Sequence, residues 1–136
     1  MRDLAPCVAI AGESDILVAR QQGRELARAA GFSLGDQTVI AVAISEIARN
    51  IVLYARDGEI RFQVAEDGER SALVIVASDR GPGIADLDLA LQEGYSTSGS
   101  LGLGLPGARR LMDEFEIATE SGKGTTITMK KWRRNV

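Results

Sequence analysis

The sequence predicts an α+β domain, a two-layer α/β sandwich whose mixed, mostly antiparallel sheet carries its helices on one face. Three observations predict it. The predicted strands come in sequence-adjacent pairs, 59–65 with 71–77 and 115–119 with 125–129, each pair joined by a tight turn. Two long helical stretches stand together near the start rather than alternating with strands. A doubly wound parallel sheet would need that regular alternation.

The elements follow in order. Pro6 to Ala11 is a short apolar run and reads as a strand. Ser14 reads as the N-cap of a helix through Ala30, with Gly31 at its C′ position. Gly35-Asp36 opens a long second helix, and Asp57-Gly58 ends it. Glu59 to Ala65 alternates in type, as a half-buried strand does. Asp67-Gly68 signals a hairpin, and the apolar run from Ser71 to Ala77 reads as a central strand. Asp86 to Gln92 is predicted as a short helix, followed by a stretch from Glu93 to Gly104 rich in Gly, Ser and Thr. Leu105 to Phe115 reads as a helix with Pro106 in its first turn. Phe115 to Thr119 and Thr125 to Met129 are the last strands, with Ser121 to Gly124 between them.

Composition bounds the function. The chain has 136 residues, 45% hydrophobic and 26% charged, which suits one globular domain spanning 1–136. A net charge of −3 and a single short basic run, Lys130 to Arg134, which reads as the solvated end of the last strand, argue against nucleic acid as a primary partner. No run approaches the ~20 apolar residues that span a bilayer. No basic-then-apolar signal opens the chain, so the expected setting is cytoplasmic, with no membrane partner. Cys7 is the lone cysteine, so no internal disulfide can form. The absence of histidine excludes histidine bases and histidine metal ligands within the chain.

Within the second helix, Val39, Val42, Ala43, Ile47, Leu53 and Tyr54 fall on one arc at about 100° per residue. Glu46 and Asn50, one turn apart, fall inside that arc. Thr38, Ser45, Arg49 and Arg56 take the opposite, wettable edge, and Arg49 reads as solvated charge. A carboxylate costs several kcal/mol to bury without a partner. Something polar must therefore meet this pair, and a ligand or metal is a candidate.

Three further motifs carry chemistry. Asp79-Arg-Gly-Pro-Gly83 follows the central strand. An Asp at a strand end can accept from an exocyclic amine, and Gly81 and Gly83 let backbone pass close to a ligand. Alone, Asp-x-Gly reads first as an Asp-initiated turn. Gly102, Gly104 and Gly107 lie before and inside a helix start, where backbone N–H groups can hold phosphate oxygens. The spacing mimics a dinucleotide fingerprint, but no strand leads into it and no βαβ unit surrounds it. Gly124-Thr125 opens the last strand, where the Thr hydroxyl could donate to a base or to Asp79; taken alone, such a Thr more often reflects strand propensity.

The order Glu46-x-x-x-Asn50, Asp79-x-Gly81-x-Gly83, Gly102-x-Gly104-x-x-Gly107 and Gly124-Thr125 resembles the GHKL (Bergerat-fold) ATP-binding family. That family includes histidine kinases, type II topoisomerase ATPase subunits, Hsp90 chaperones and anti-sigma-factor kinases. Ser45 to Ala55, Gly94 to Gly99 and Arg110 to Phe115 are similar to the stand-alone serine/threonine switch kinases of the stressosome. The resemblance implies ATP and Mg²⁺ as cofactors, with Asn50 as the metal ligand and Glu46 as the catalytic base. It implies Asp79 on the adenine amine, with Gly81, Gly83, Gly102, Gly104, Gly107 and Thr125 around the nucleotide. A lid from Tyr95 to Ser100 is also implied. The implied partners are STAS-domain scaffold proteins, as phosphoacceptors, and a PP2C-type phosphatase activated by binding. An anti-sigma factor that also phosphorylates its antagonist is the alternative. The run Asn50-Ile-Val-Leu-Tyr54 departs from the His or Gly that many anti-sigma kinases carry there, which favours the switch-kinase branch.

Overall fold

The structure is a computed structural model and describes residues 6–55, 57–81, 104–120 and 122–133. The chain runs β1 (Cys7–Ile10), α1 (Glu13–Ala29), α2 (Leu34–Tyr54), β2 (Gly58–Asp67), β3 (Arg70–Asp79), α3 (Gly104–Leu111), β4 (Glu114–Glu120) and β5 (Gly124–Trp132). The strands form one sheet in the order β1-β2-β3-β5-β4, and each of these ladders is antiparallel. The described elements match the expected order. The expected helix 86–92, the lid 95–100, Gly83 and Gly102 lie outside the described residues.

Period-two alternation decides which sheet face is inward. Ile60 and Phe62 of β2 stand opposite Ala77 and Ile75 of β3, which stand opposite Ile127 and Met129 of β5. All six are buried against the helices. Each large apolar side chain so buried contributes about 1.5–3 kcal/mol. The β2–β3 hairpin closes through Gly68 at φ +66°, a left-handed conformation that glycine adopts without strain.

The helix ends differ from expectation at several points. The N-cap of α1 is Gly12, not Ser14. Asp15 reaches back to accept from the Ala11 and Gly12 N–H groups at 2.8 and 3.0 Å, so a carboxylate on the first turn secures the chain entering the helix, with no serine hydroxyl at the cap. Gly31 follows α1 at φ +89°, as a C′ glycine does. In α2, Ser33 is the N-cap, and its Oγ accepts from Asp36 N–H at 3.1 Å. Leu111 ends α3, so Phe115 belongs to β4 rather than to the helix.

The arc drawn on α2 is also corrected. Its buried centre is Ile40, Ile44, Ile47, Ala48 and Ile51, while Leu53 and Tyr54 are about half exposed. Ser45, placed on the wet edge, is buried and donates its hydroxyl to Ala41 O at 2.9 Å. The reason is that α2 packs against the sheet, α1 and α3 together, so apolar residues occupy most of its circumference. Gly23 of α1 permits this crowding, because a Cβ there would strike Ile44 Cδ1. By length and composition α2 could cross a membrane, but more than half of its most apolar stretch is buried within the domain, as in a core helix. Glu46 and Asn50 lie well away from the middle of that stripe, by about 140° and about 100° at roughly 100° per residue, with Glu46 turned to the start of α3.

Candidate functional site

Two polar clusters sit beside the C-terminal half of α2. The first is built on Glu46, which is only 5% exposed. Its Oε1 accepts the Gly104 N–H at 3.1 Å, and its Oε2 meets Arg49 Nη1 at 3.5 Å. Gly104 is the first residue of α3 and has φ +52°. The N–H groups of a first turn have no partner inside their own helix, and the helix dipole places partial positive charge there. A buried carboxylate is thus held by the end of α3. The polar partner that the sequence demands for Glu46 is supplied by the chain itself.

Asn50 lies one turn on, half-buried, and its amide has no hydrogen bond to any described residue. Its carbonyl oxygen is a hard ligand of the kind Mg²⁺ accepts, and Mg²⁺ needs only one or two protein ligands because it keeps much of its water. The residues present therefore fit such an ion beside Glu46.

The second cluster is built on Asp79, at the end of β3. Its Oδ1 accepts the N–H of Gly81 at 2.9 Å and of Thr125 at 3.2 Å. Oδ2 has no partner among the described residues. The Asx-type turn therefore occupies Oδ1 and leaves Oδ2 open to a ligand. Thr125 is 5% exposed. Its N–H, not its hydroxyl, meets Asp79; the hydroxyl pairs with Thr119 Oγ1 at 3.0 Å.

Glycines make the second cluster possible. A Cβ on Gly81 would come within 2.6 Å of Ala55 Cβ at the end of α2. Gly124, at φ +93°, would drive its Cβ into Asp79 O. Gly81 was expected to leave room for a ligand; what it lets approach is the end of α2. Because α2 touches both clusters, at Glu46 and at Ala55, it holds them about 14 Å apart along its axis, with Asn50 between.

Of the predicted residues, Glu46, Asn50 and Gly104 border one end of this strip, and Asp79, Gly81 and Thr125 the other. Gly107 is buried within α3, one turn from Gly104. Gly83 and Gly102 fall outside the described residues. Sequence reasoning took Arg49 for solvated charge, although its place three residues after Glu46 is the spacing of a helical ion pair. It also passed over Thr119, which only the β4–β5 register brings opposite Thr125.

Residues 13–131 match the family described as the histidine kinase-like ATPase domain. The chain is 50% identical over 128 residues to the serine/threonine-protein kinase RsbT of Bacillus subtilis (strain 168), covering 94% of this chain and 96% of that protein. It is 31% identical over 102 residues to an anti-sigma F factor of Heyndrickxia coagulans, covering 71% and 67%. In fold it is similar to the crystal structure of the RsbU and RsbW domains of a Mycobacterium tuberculosis protein, with a TM-score of 0.62 at 23% identity. That match covers 99% of this chain and 35% of the other, so the chain spans about a third of that protein's length.

Proposed function

The chain belongs to the histidine kinase-like ATPase domain family, and we propose that it works as an ATP-dependent serine/threonine protein kinase of a partner-switching system, a reading supported by its likeness to the serine/threonine-protein kinase RsbT. One observation carries the mechanism. A buried carboxylate, Glu46, stands one turn from a half-exposed amide, Asn50, and against the N-terminal amide of α3.

In this reading ATP lies along the strip beside α2. Asp79 Oδ2 accepts from the adenine amine, which selects adenine over guanine. Gly81, Gly83 and Thr125 shape the base end. The N–H groups around Gly102, Gly104 and Gly107 take the phosphates. Asn50 would hold Mg²⁺, which would supply neutralisation of the phosphate charge. Glu46 accepts the proton of a Ser or Thr hydroxyl on the protein substrate as its oxygen bonds to the γ-phosphorus. The bond from that phosphorus to the ADP oxygen breaks, and ADP leaves.

The substrate in this reading is a STAS-domain protein of a stressosome scaffold. When released from it, the kinase binds and activates a PP2C-type phosphatase. Residues 1–136 form a single ATP-binding kinase domain acting in the cytoplasm. The 50% identity to RsbT along nearly the full length of both chains supports the switch-kinase role. The anti-sigma F relatives support a second reading, in which the chain sequesters a sigma factor.

The test is a transfer assay with γ-labelled ATP and a purified STAS-domain protein, paired with capture on the immobilised kinase. Label on Ser or Thr of the STAS protein, with phosphatase recovered, is the expected result. Recovery of a sigma subunit in place of the phosphatase would instead establish the second reading.

A further inference from the structure

We propose that Lys131 is a positioning residue for the phosphate end of the site, acting through α3. Among the described residues, Glu46 and Lys131 are the only buried ionisable side chains, and they grip opposite ends of the same helix. Glu46 Oε1 accepts the Gly104 N–H at its start. Lys131 Nζ donates to the Leu111 carbonyl at its end, at 3.0 Å. Each charge has the sign that the helix dipole favours at that end.

Lys131 occupies an inward position of β5, opposite Leu73 of β3. A hydrophobic residue would serve a plain core there. A buried ammonium is costly unless it is bonded, and here the Leu111 carbonyl and Asp113 Oδ1, at 3.8 Å, meet it. That cost attaches to two contacts, the last carbonyl of α3 and the Asp113 carboxylate just beyond it, so Lys131 holds the end of that helix.

The geometry explains why α3 needs such a grip. It has eight residues, too few for a helix to persist alone. Leu105 and Ala108 bury its inward side, but apolar contact is non-directional and leaves sliding along the axis open. The two end bonds fix that freedom. A shift at Leu111 is a shift at Gly104, about 10 Å away along the helix. Lys131 thus sets where the α3 amides stand relative to Glu46 without touching a nucleotide. This inference rests on the proposed placement of the phosphates at α3.

The experiment compares ATP with adenosine, which lacks phosphates and meets only the Asp79 end. Calorimetry on the full chain measures both ligands, with Mg²⁺ present, for wild type, Lys131→Met and Lys131→Arg. In Lys131→Met, ATP affinity and the phosphoryl-transfer rate fall about 10- to 100-fold, as for a small misplacement of catalytic groups, while adenosine affinity stays within about twofold. Amide hydrogen exchange rises across 104–111 and not across 60–64. Lys131→Arg restores most of the ATP affinity. Equal losses for both ligands, or an unchanged ATP affinity in a folded Lys131→Met protein, would overturn the proposal. Should Lys131→Met fail to fold, Asp113→Asn carries the test, with the same but smaller split between ligands expected and an even loss overturning it. A wild-type protein that binds ATP no better than adenosine would refute the phosphate placement itself, which separates that failure from failure of the Lys131 role.

Discussion

Glu46 Oε1 and the Gly104 N–H, 58 positions apart in the chain, form a 3.1 Å hydrogen bond that joins the middle of α2 to the start of α3. It satisfies a buried carboxylate and an otherwise unpaired helix-end donor at once. It also sets the expected base against the amides expected to hold phosphate.

Glu46→Gln separates the structural part of that bond from the chemical part. The glutamine carbonyl can still accept from Gly104, so the fold and the ATP affinity are expected to persist, the latter within about threefold. The amide cannot accept a proton. Transfer to the protein substrate should fall by about 10²- to 10⁴-fold, the usual contribution of a general base. Single-turnover transfer measures it, and a wild-type rate would remove Glu46 as base.

Asp79→Asn addresses the other end of the strip. Asn Oδ1 can keep both bonds from Gly81 and Thr125, so thermal stability should change little. At the second position an acceptor becomes a donor and meets the adenine amine head-on. ATP affinity is expected to fall about 100-fold by calorimetry, the effect of leaving a buried polar group unpaired. Unchanged affinity would mean that Asp79 serves its turn alone.

Much of this was legible in the sequence. The period-two runs and the turns at Asp67-Gly68 and 121–124 predicted the strand pairs that the ladders show. Glu46 stood out because burying a carboxylate demands a partner. The identity of that partner was not legible, since nothing local to residue 46 points to a glycine in a separate helix. The face of α2 was misdrawn because three surrounding layers leave its apolar pattern nearly unbroken. Lys131 looked like part of a solvated tail until the β3–β5 register placed it inward.

Gly124→Ala tests the close crossing of β5 over the end of β3. A Cβ would meet Asp79 O, and φ +93° disfavours any L side chain. A loss of about 2–3 kcal/mol is expected in urea unfolding, from backbone strain plus the displaced carbonyl. Gly122→Ala, at φ +80° with open space around it, should cost less.

Cys7, exposed on β1, offers a pH-dependent probe. What desolvation it has, and then the nearby Glu59 carboxylate, hold its thiol above the ordinary cysteine value, with Arg61 opposing. The thiolate is the reactive form, so alkylation by iodoacetamide at pH 8 should be slower than for a free thiol, with a midpoint at higher pH. Glu59→Gln removes one raising influence and leaves Arg61 in place, so the midpoint should move down. A midpoint that stays put would show that burial alone governs the thiol.

The most direct test is a crystal structure of the full chain with Mg²⁺ and a non-hydrolysable ATP analogue. The account predicts adenine on Asp79 Oδ2, the metal on the Asn50 oxygen and the γ-phosphate between Glu46 and the first turn of α3. A nucleotide bound elsewhere, or Asn50 and Glu46 turned away from its phosphates, would contradict it.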